Sequence, residues 1–298
     1  MALISVSRRT DVPAFYGQWL LNRLQAGSCL VRNPFNPSQV RRVDLSPQAV
    51  DGLIFWTRRP GPFLDRLDDL ERLGLPFYFQ MTLNAMSPVL EPHLPPEADS
   101  LRAFEELSAR VGPARLVWRF DPLLVTSLTP PEEIAARFER LSGRLSGQTE
   151  RVVVSLARLY AKVKKRLARR PELKVIDLQT EAGLAQDLLG GLAATARRRG
   201  LEIKICAAEA DYSHLGIEPG KCVDEEILNR AYGLDLALPK DKGQRPACGC
   251  AQSIDIGAYD SCLHGCLYCY ANSSQETARR RHARHDPSGE ELIGLGPG

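Results

Sequence analysis

Short runs of β-branched and aromatic residues alternate along the chain with longer stretches in which apolar residues recur every three to four positions. The first pattern is typical of strands and the second of amphipathic helices. The predicted strands are Leu3–Ser7, Leu53–Thr57, Phe77–Thr82, Leu116–Phe120, Val152–Leu156, Glu202–Ala207 and Ile254–Tyr259. The predicted helices lie near residues 14–26, 62–74, 98–111, 131–145, 180–199 and 223–232.

Strands that alternate with helices predict an α/β protein with a parallel sheet covered by helices. Seven such units within 298 residues favour a whole or partial β/α barrel of the TIM type, in one domain over residues 1–285. The segment Gly27–Pro47 interrupts the alternation and predicts an inserted hairpin or loop. Residues 286–298 lack a periodic apolar face, so we expect a disordered tail there.

Composition narrows the setting in which the chain works. A content of 44% hydrophobic and 25% charged residues with a net charge of +3 is ordinary, and argues neither for nor against nucleic acid. The apolar start is too short for a secretory signal, and no stretch approaches the roughly 18 apolar residues of a membrane span. We therefore expect a cytoplasmic protein with no membrane association. Its eight cysteines then indicate metal or redox chemistry rather than disulfides.

Polar segments follow four of the predicted strands. They are Ser7–Asp11, Trp56–Pro60, Gln80–Asn84 and Arg119–Pro122. In a β/α barrel the carboxyl ends of the strands converge on the face where active sites are built. Each segment alone could be an ordinary polar turn, but four together favour a site. Arg119 and Asp121 could reach this site or pair with each other.

Three cysteines form the most specific motif, Cys262-Leu-His-Gly-Cys266-Leu-Tyr-Cys269. A [4Fe–4S] cluster is normally held by four thiolates, one on each iron, so three thiolates leave one iron without a protein ligand. The spacing C-x3-C-x2-C resembles the signature of radical S-adenosylmethionine (SAM) enzymes. That resemblance implies that the open iron chelates SAM, and that an electron from the cluster cleaves SAM to a 5′-deoxyadenosyl radical. The alternative is a zinc knot completed by His264 or by Cys248-Gly-Cys250.

The position of this motif is unusual for the enzymes it resembles. The segment Cys262–Asn272 is similar to the cluster loop of spore photoproduct lyase and its relatives, where the loop follows the first barrel strand. Here it follows the last predicted strand. The first and last strands of a barrel are neighbours, so a circular permutation would leave the same site assembled. In agreement, Leu3–Asp11 resembles the strand that comes second in the lyase relatives.

The chain from Ile4 to Asn272 resembles the uncharacterised family catalogued as domain of unknown function 1848. Members pair an S-R-R-T-D-x-P start with a C-G-C, D-I-G-x-Y and C-x-H-G-C-x-Y-C-Y-A-N finish. The resemblance implies the permuted fold and the cluster, with a cluster-binding segment at about residues 245–272, but it implies no substrate.

If the fold is permuted, the first turn lies beside the cluster loop. We then predict that Ser7, Arg8, Thr10 and Asp11 contact SAM, with Arg8 or Arg9 pairing with its carboxylate. The alternative for Asp11 is a helix N-cap, with Pro13 in the first turn. Tyr268 and Tyr270 are expected to pack against the cluster and shield it from water, and Tyr268 is assigned to cofactor binding.

Four further cysteines could form a second centre: Cys206, Cys222, Cys248 and Cys250. Four thiolates complete either an auxiliary [4Fe–4S] cluster or a zinc site, and buried unligated thiols are the remaining possibility. One objection is geometric, because Cys248 and Cys250 precede the last strand and so belong at the opposite end of the sheet from Cys206. Cys29 is expected to be an ordinary buried thiol.

The functional hypothesis is a radical SAM enzyme that abstracts hydrogen from an unidentified small molecule, peptide or nucleic acid, and receives electrons from flavodoxin or ferredoxin. A non-catalytic iron–sulfur protein for electron transfer or redox sensing is one alternative. A zinc-stabilised barrel whose chemistry lies in its Arg and Asp residues is another. The basic run Arg279–His285 predicts a solvated last helix, with phosphate contact as the alternative.

Overall fold

The structure, a computed structural model, describes residues 1–294 and centres on one parallel sheet. Its eight strands lie in the order β10-β1-β4-β5-β6-β7-β8-β9, and β2 and β3 form a separate antiparallel pair. The strands are β1 (Ala2–Val6), β2 (Ser28–Arg32), β3 (Val40–Asp44), β4 (Val50–Thr57), β5 (Phe77–Thr82), β6 (Leu116–Leu123), β7 (Arg151–Leu156), β8 (Glu202–Cys206), β9 (Glu218–Gly220) and β10 (Ser253–Asp255).

Helices connect the strands, as the alternating pattern predicts. They are α1 (Val12–Phe15), α2 (Gly17–Gln25), α3 (Gly61–Leu64), α4 (Leu67–Arg72), α5 (Glu97–Val111), α6 (Pro131–Leu145), α7 (Ala161–Leu167), α8 (Ala182–Arg198), α9 (Glu225–Tyr232) and α10 (Gln275–His282). The α/β class is confirmed. The predicted helices at 14–26 and 62–74 are each divided into two, whereas α6 has the predicted bounds.

Both faces of the sheet are covered, as is usual for a parallel sheet. Successive side chains of a strand point to opposite faces. Ile4, Phe55 and Phe79 lie in the larger buried cluster. On the other face Leu3, Ile54, Tyr78, Val117 and Val153 pack with Ile227 and Leu228 of α9 and with the segment that leads to β10. The connection between β9 and β10 therefore lies against the sheet and does not project into solvent.

The first strand lies directly beside the last, which confirms the neighbour relation expected of a permuted chain. β1 pairs in parallel with β10, with Ile4 opposite Ile254. β10 ends at Asp255, earlier than predicted, because the Asp255 carboxylate accepts a hydrogen bond of 3.0 Å from the backbone N–H of Gly257, which turns the chain out of the strand. Across residues 1–294, β9 and β10 are the two edges of the sheet and do not pair with each other.

The inserted segment forms the hairpin β2–β3, as predicted. The prediction of a disordered tail is wrong for residues 286–294. Leu292 and Ile293 are buried, Arg32 forms an ion pair of 2.5 Å with Glu291, and the Trp19 indole donates to the Gly289 carbonyl. Two buried apolar side chains thus anchor a segment that has no periodic face. Residues 295–298, where the same prediction also falls, lie outside the described residues. None of the described helices is long and apolar enough to cross a membrane.

Candidate metal centre

Cys262, Cys266 and Cys269 lie in the loop between β10 and α10, beyond the carboxyl end of β10. Cys266 is buried, and burial raises the pKa of its thiol to about 12. Burial also raises the pKa of Cys262 well above its ordinary value, and the negative charges of Cys269, Asp11 and Cys266 add to this increase. The Cys266 and Cys269 thiols therefore lie near enough to Cys262 for their charges to act on it.

The loop backbone is held by one arginine of α7. The guanidinium of Arg166 donates to the carbonyl oxygens of Cys266, Leu267, Cys269 and Asn272, at 3.2, 2.7, 3.1 and 2.8 Å. A planar guanidinium has five donors in a fixed geometry, so it can join several carbonyls at once. Sequence reasoning missed Arg166, because it lies about 100 positions before the loop and its basic neighbours are typical of a solvated helix.

Asp11 links the first turn to the cysteine loop. Its Oδ1 accepts a hydrogen bond from Ala14 N at 3.0 Å and so caps α1, as the alternative prediction had it. Its Oδ2 accepts from Arg58 N and from His264 Nε2, each at 2.7 Å. The Nε2 of His264 is therefore engaged by Asp11, while its buried Nδ1 has no hydrogen-bond partner in the described structure.

Asp255 organises the remaining residues of the first turn, a role that sequence reasoning also missed. Its carboxylate accepts hydrogen bonds from Ser7 Oγ at 2.6 Å and from Arg8 N at 2.8 Å. The side chain of Arg8 lies 3.7 Å from the same carboxylate. Thr10 differs, since its buried hydroxyl has no hydrogen-bond partner within residues 1–294. Of the four predicted SAM contacts, Thr10 is the one with a buried side-chain polar atom that lacks a partner in the described structure.

The strand-end segments converge on Tyr268 of the cysteine loop. The Tyr268 hydroxyl hydrogen-bonds Glu91, Arg58 at 2.7 Å and Asn84 at 3.3 Å, and Arg58 pairs with Glu91 at 2.6 Å. Asn84 also exchanges hydrogen bonds with the backbone of Asp121. A cavity of about 300 Å³ borders this network and is lined by Arg58, Asn84 and Glu91 among others. The carboxyl ends of β4, β5 and β6 thus contribute to one polar site, as expected of converging strands.

Two other predictions concern side chains near this network. Arg119 pairs with Asp121, so of the two alternatives the internal pair is the one found. Tyr270 is 43% exposed and donates a hydrogen bond of 2.7 Å to the carbonyl of Arg8. Tyr270 therefore joins the cysteine loop to the first turn, but it is too exposed to be a complete shield.

Cys29, outside this network, is a buried core thiol, as expected.

The other four cysteines come together, and the geometric objection to this is wrong. The Sγ atoms of Cys206 and Cys222 are 3.0 Å apart. Cys250 Sγ accepts a hydrogen bond of 3.2 Å from Cys222 N, and Cys222, Cys248 and Cys250 lie in one buried cluster. The objection failed because the chain before β10 runs back along the sheet, with Ala251 N donating to the carbonyl of Val223.

As the side chains lie, no group of three or more His, Cys, Asp or Glu residues between residues 1 and 294 is arranged to hold a metal ion. Cys248 and Cys250 pack with Cys222, and the Nε2 atom of His264 is hydrogen-bonded to Asp11. The zinc knot considered above is therefore not assembled in the described residues.

Fold and site together define a parallel α/β protein with a cysteine-rich loop beyond the carboxyl end of an edge strand. A family model described as domain of unknown function (DUF1848) matches residues 3–271, and the chain belongs to this family. No curated protein and no solved structure matched the chain.

Proposed function

We propose that this protein is a radical SAM enzyme whose [4Fe–4S] cluster is bound by Cys262, Cys266 and Cys269. The observation that carries the proposal is the grouping of three buried or half-buried thiols in one restrained loop, beside the first turn of the chain. When bound, such a cluster would supply one electron to the sulfonium of SAM, which breaks into methionine and a 5′-deoxyadenosyl radical.

The loop residues fit a cluster that has one open iron. His264 is the remaining metal-ligating side chain between Cys262 and Cys269, and its Nε2 is occupied by Asp11. In this proposal the three thiolates bind three of the irons and leave the fourth iron for SAM. Thiols that bind a cluster each bind a different iron, so they need not surround a single point as the ligands of one ion do.

The residues around the loop have distinct tasks in this proposal. Arg166 holds the backbone carbonyls, so the loop keeps its shape whether or not its thiols are ligated. Asp11 and Tyr270 fix the loop against the first turn, which brings Thr10 into the site. We assign Thr10 as a hydrogen-bonding contact to SAM, since burial of an unpaired hydroxyl is costly without a partner. Ser7 and Arg8 support the site through Asp255.

The polar network around Tyr268 supports binding of a polar substrate or of SAM in the adjoining cavity. The cavity wall carries the positive guanidinium of Arg58, the neutral amide of Asn84 and the negative carboxylate of Glu91. The physiological reductant in this proposal is flavodoxin or ferredoxin. The substrate that gives up hydrogen in this proposal is a small molecule, a peptide or a nucleic acid.

The test is anaerobic reconstitution with iron and sulfide, reduction by dithionite, and measurement of 5′-deoxyadenosine formed from SAM. We expect product from the unaltered protein and a loss of at least about tenfold in Cys266→Ala, since an incomplete thiolate set no longer holds the cluster. Cys29→Ala is the matched control, because it removes a buried thiol far from the loop, and it should retain product formation. Iron uptake without 5′-deoxyadenosine in the unaltered protein would instead favour an electron-transfer or redox-sensing protein.

A further inference from the structure

Four thiols from three separate parts of the chain meet on the face of the sheet that α9 covers. Cys206 is the last residue of β8, Cys222 lies two residues after β9, and Cys248 and Cys250 precede β10. The Sγ atoms of Cys206 and Cys222 are 3.0 Å apart, Cys250 Sγ accepts a hydrogen bond from Cys222 N, and Cys248 lies in the same buried cluster as Cys222 and Cys250. No sequence-local motif places these residues together, so the fold itself assembles the group.

Hydrogen-bond donors point at the sulfurs of this group. Cys250 Sγ accepts from the backbone N–H groups of Cys222 and Val223, at 3.2 and 3.4 Å. Cys222 Sγ accepts from the buried guanidinium of Arg119 at 3.0 Å. A neutral thiol is a weak acceptor, whereas a thiolate gains strongly from N–H donors and from a positive charge. These donors would stabilise Cys222 and Cys250 as thiolates, the metal-binding form of cysteine, when a metal is bound.

The four cysteines also span the open side of the sheet. β9 and β10 are its two unpaired edges within the described chain, and Cys222 and Cys250 lie within three residues of one edge each. A bond network through these side chains would join the two edges where no ladder of backbone hydrogen bonds does so. Two hydrogen bonds already bring these segments together. Cys222 N donates to Cys250 Sγ, and Ala251 N donates to the Val223 carbonyl.

We propose that Cys206, Cys222, Cys248 and Cys250 bind a second metal centre, which fastens the β9 edge of the sheet to the β10 edge. The ligand is a metal that prefers thiolates, either zinc or the iron of a second cluster, and both need four thiolates for closed coordination. As the side chains lie in residues 1–294, the four thiols do not form a closed set, so binding requires side-chain rotations that bring their sulfurs together. This centre is separate from the three-cysteine loop and does not rest on the radical SAM proposal.

The first test removes the loop cysteines and leaves the four others in place. The variant Cys262→Ala/Cys266→Ala/Cys269→Ala is purified without oxygen, and zinc, iron and sulfide are measured per chain. We expect about one zinc, or about four irons with matching sulfide, to remain bound. The first result identifies zinc and the second a cluster, and both support the centre. A folded variant that holds neither metal after anaerobic reconstitution with each would overturn it, whatever the result for the loop.

The second test locates the metal. In the same loop variant, adding Cys222→Ala/Cys250→Ala should abolish metal binding, whereas adding Cys29→Ala should not. If the first combination fails to fold, alkylation of the folded loop variant decides instead. Metal should protect Cys206, Cys222, Cys248 and Cys250 from iodoacetamide until a chelator is added. Rapid alkylation of these thiols in metal-bearing protein, or a Cys206–Cys222 disulfide in place of metal, would contradict the proposal.

Discussion

At the scale of single residues, a few buried polar side chains connect parts of the chain that are far apart in sequence. Asp11 joins a helix start, a strand end and the cysteine loop, and Asp255 joins β10 to the first turn. The Asp11 cap could be predicted, because Asp before a helix with Pro in its first turn is a local signal. The bond from Asp11 to His264 spans most of the chain and leaves no local pattern.

Replacement of Asp11 tests this joining role. Asp11→Ala removes the cap and the acceptor for Arg58 N and His264 Nε2, so we expect the free energy of unfolding to fall by about 3 kcal/mol, from about 1 kcal/mol for each of the three hydrogen bonds. Asp11→Asn keeps an N-capping oxygen and should lose less. Denaturant titration measures both changes. Equal losses for the two variants would show that the cap contributes nothing to stability.

Arg166 gives a second prediction at this scale. Arg166→Ala leaves four loop carbonyls without their shared donor, so we expect faster hydrogen exchange in residues 262–272 and at least about twofold less iron bound on reconstitution. Lys164→Ala, an exposed basic residue of the same helix, is the matched control and should leave both unchanged. Unaltered exchange in the Arg166 variant would contradict its role in the loop, independently of any metal.

At the scale of helices and strands, periodic segments were predictable and aperiodic ones were not. β5 and α6 have the predicted bounds, since both have a regular apolar pattern and a clear boundary. The segment between α9 and β10 has no such pattern, and its return along the sheet depends on long-range contacts to residues such as Val223. This is why the meeting of Cys248 and Cys250 with Cys222 could not be derived from spacing.

The final segment was mispredicted for the same reason, and it can be tested directly. Leu292 is 3% exposed, so Leu292→Ala should lower the free energy of unfolding by about 3 kcal/mol through lost burial and the cavity it leaves. Ser288→Ala, an exposed position in the same segment, should change it by less than about 0.5 kcal/mol. Thermal or denaturant unfolding followed by tryptophan fluorescence provides the measurement. A loss at Leu292 as small as that at Ser288 would mean that the segment does not pack in solution.

At the scale of the whole molecule, the cysteine loop follows β10, a strand that pairs with the first strand of the chain. The adjacency of β1 and β10 could be predicted from the resemblance, because the first and last strands of a barrel are neighbours and a permuted chain would keep them side by side. The convergence of Arg58, Asn84 and Asp121 also followed from strand direction. The partners within that network, Glu91 and Tyr268, required the structure.

The most direct test of the central claim is electron paramagnetic resonance of the anaerobically reconstituted, dithionite-reduced protein, recorded with and without SAM. If Cys262, Cys266 and Cys269 hold a cluster with an open iron, the spectrum should show a reduced [4Fe–4S] signal that changes when SAM is added. The SAM-dependent change should be absent from Cys266→Ala. A cluster signal that SAM leaves unchanged, or no cluster after reconstitution, would contradict the account.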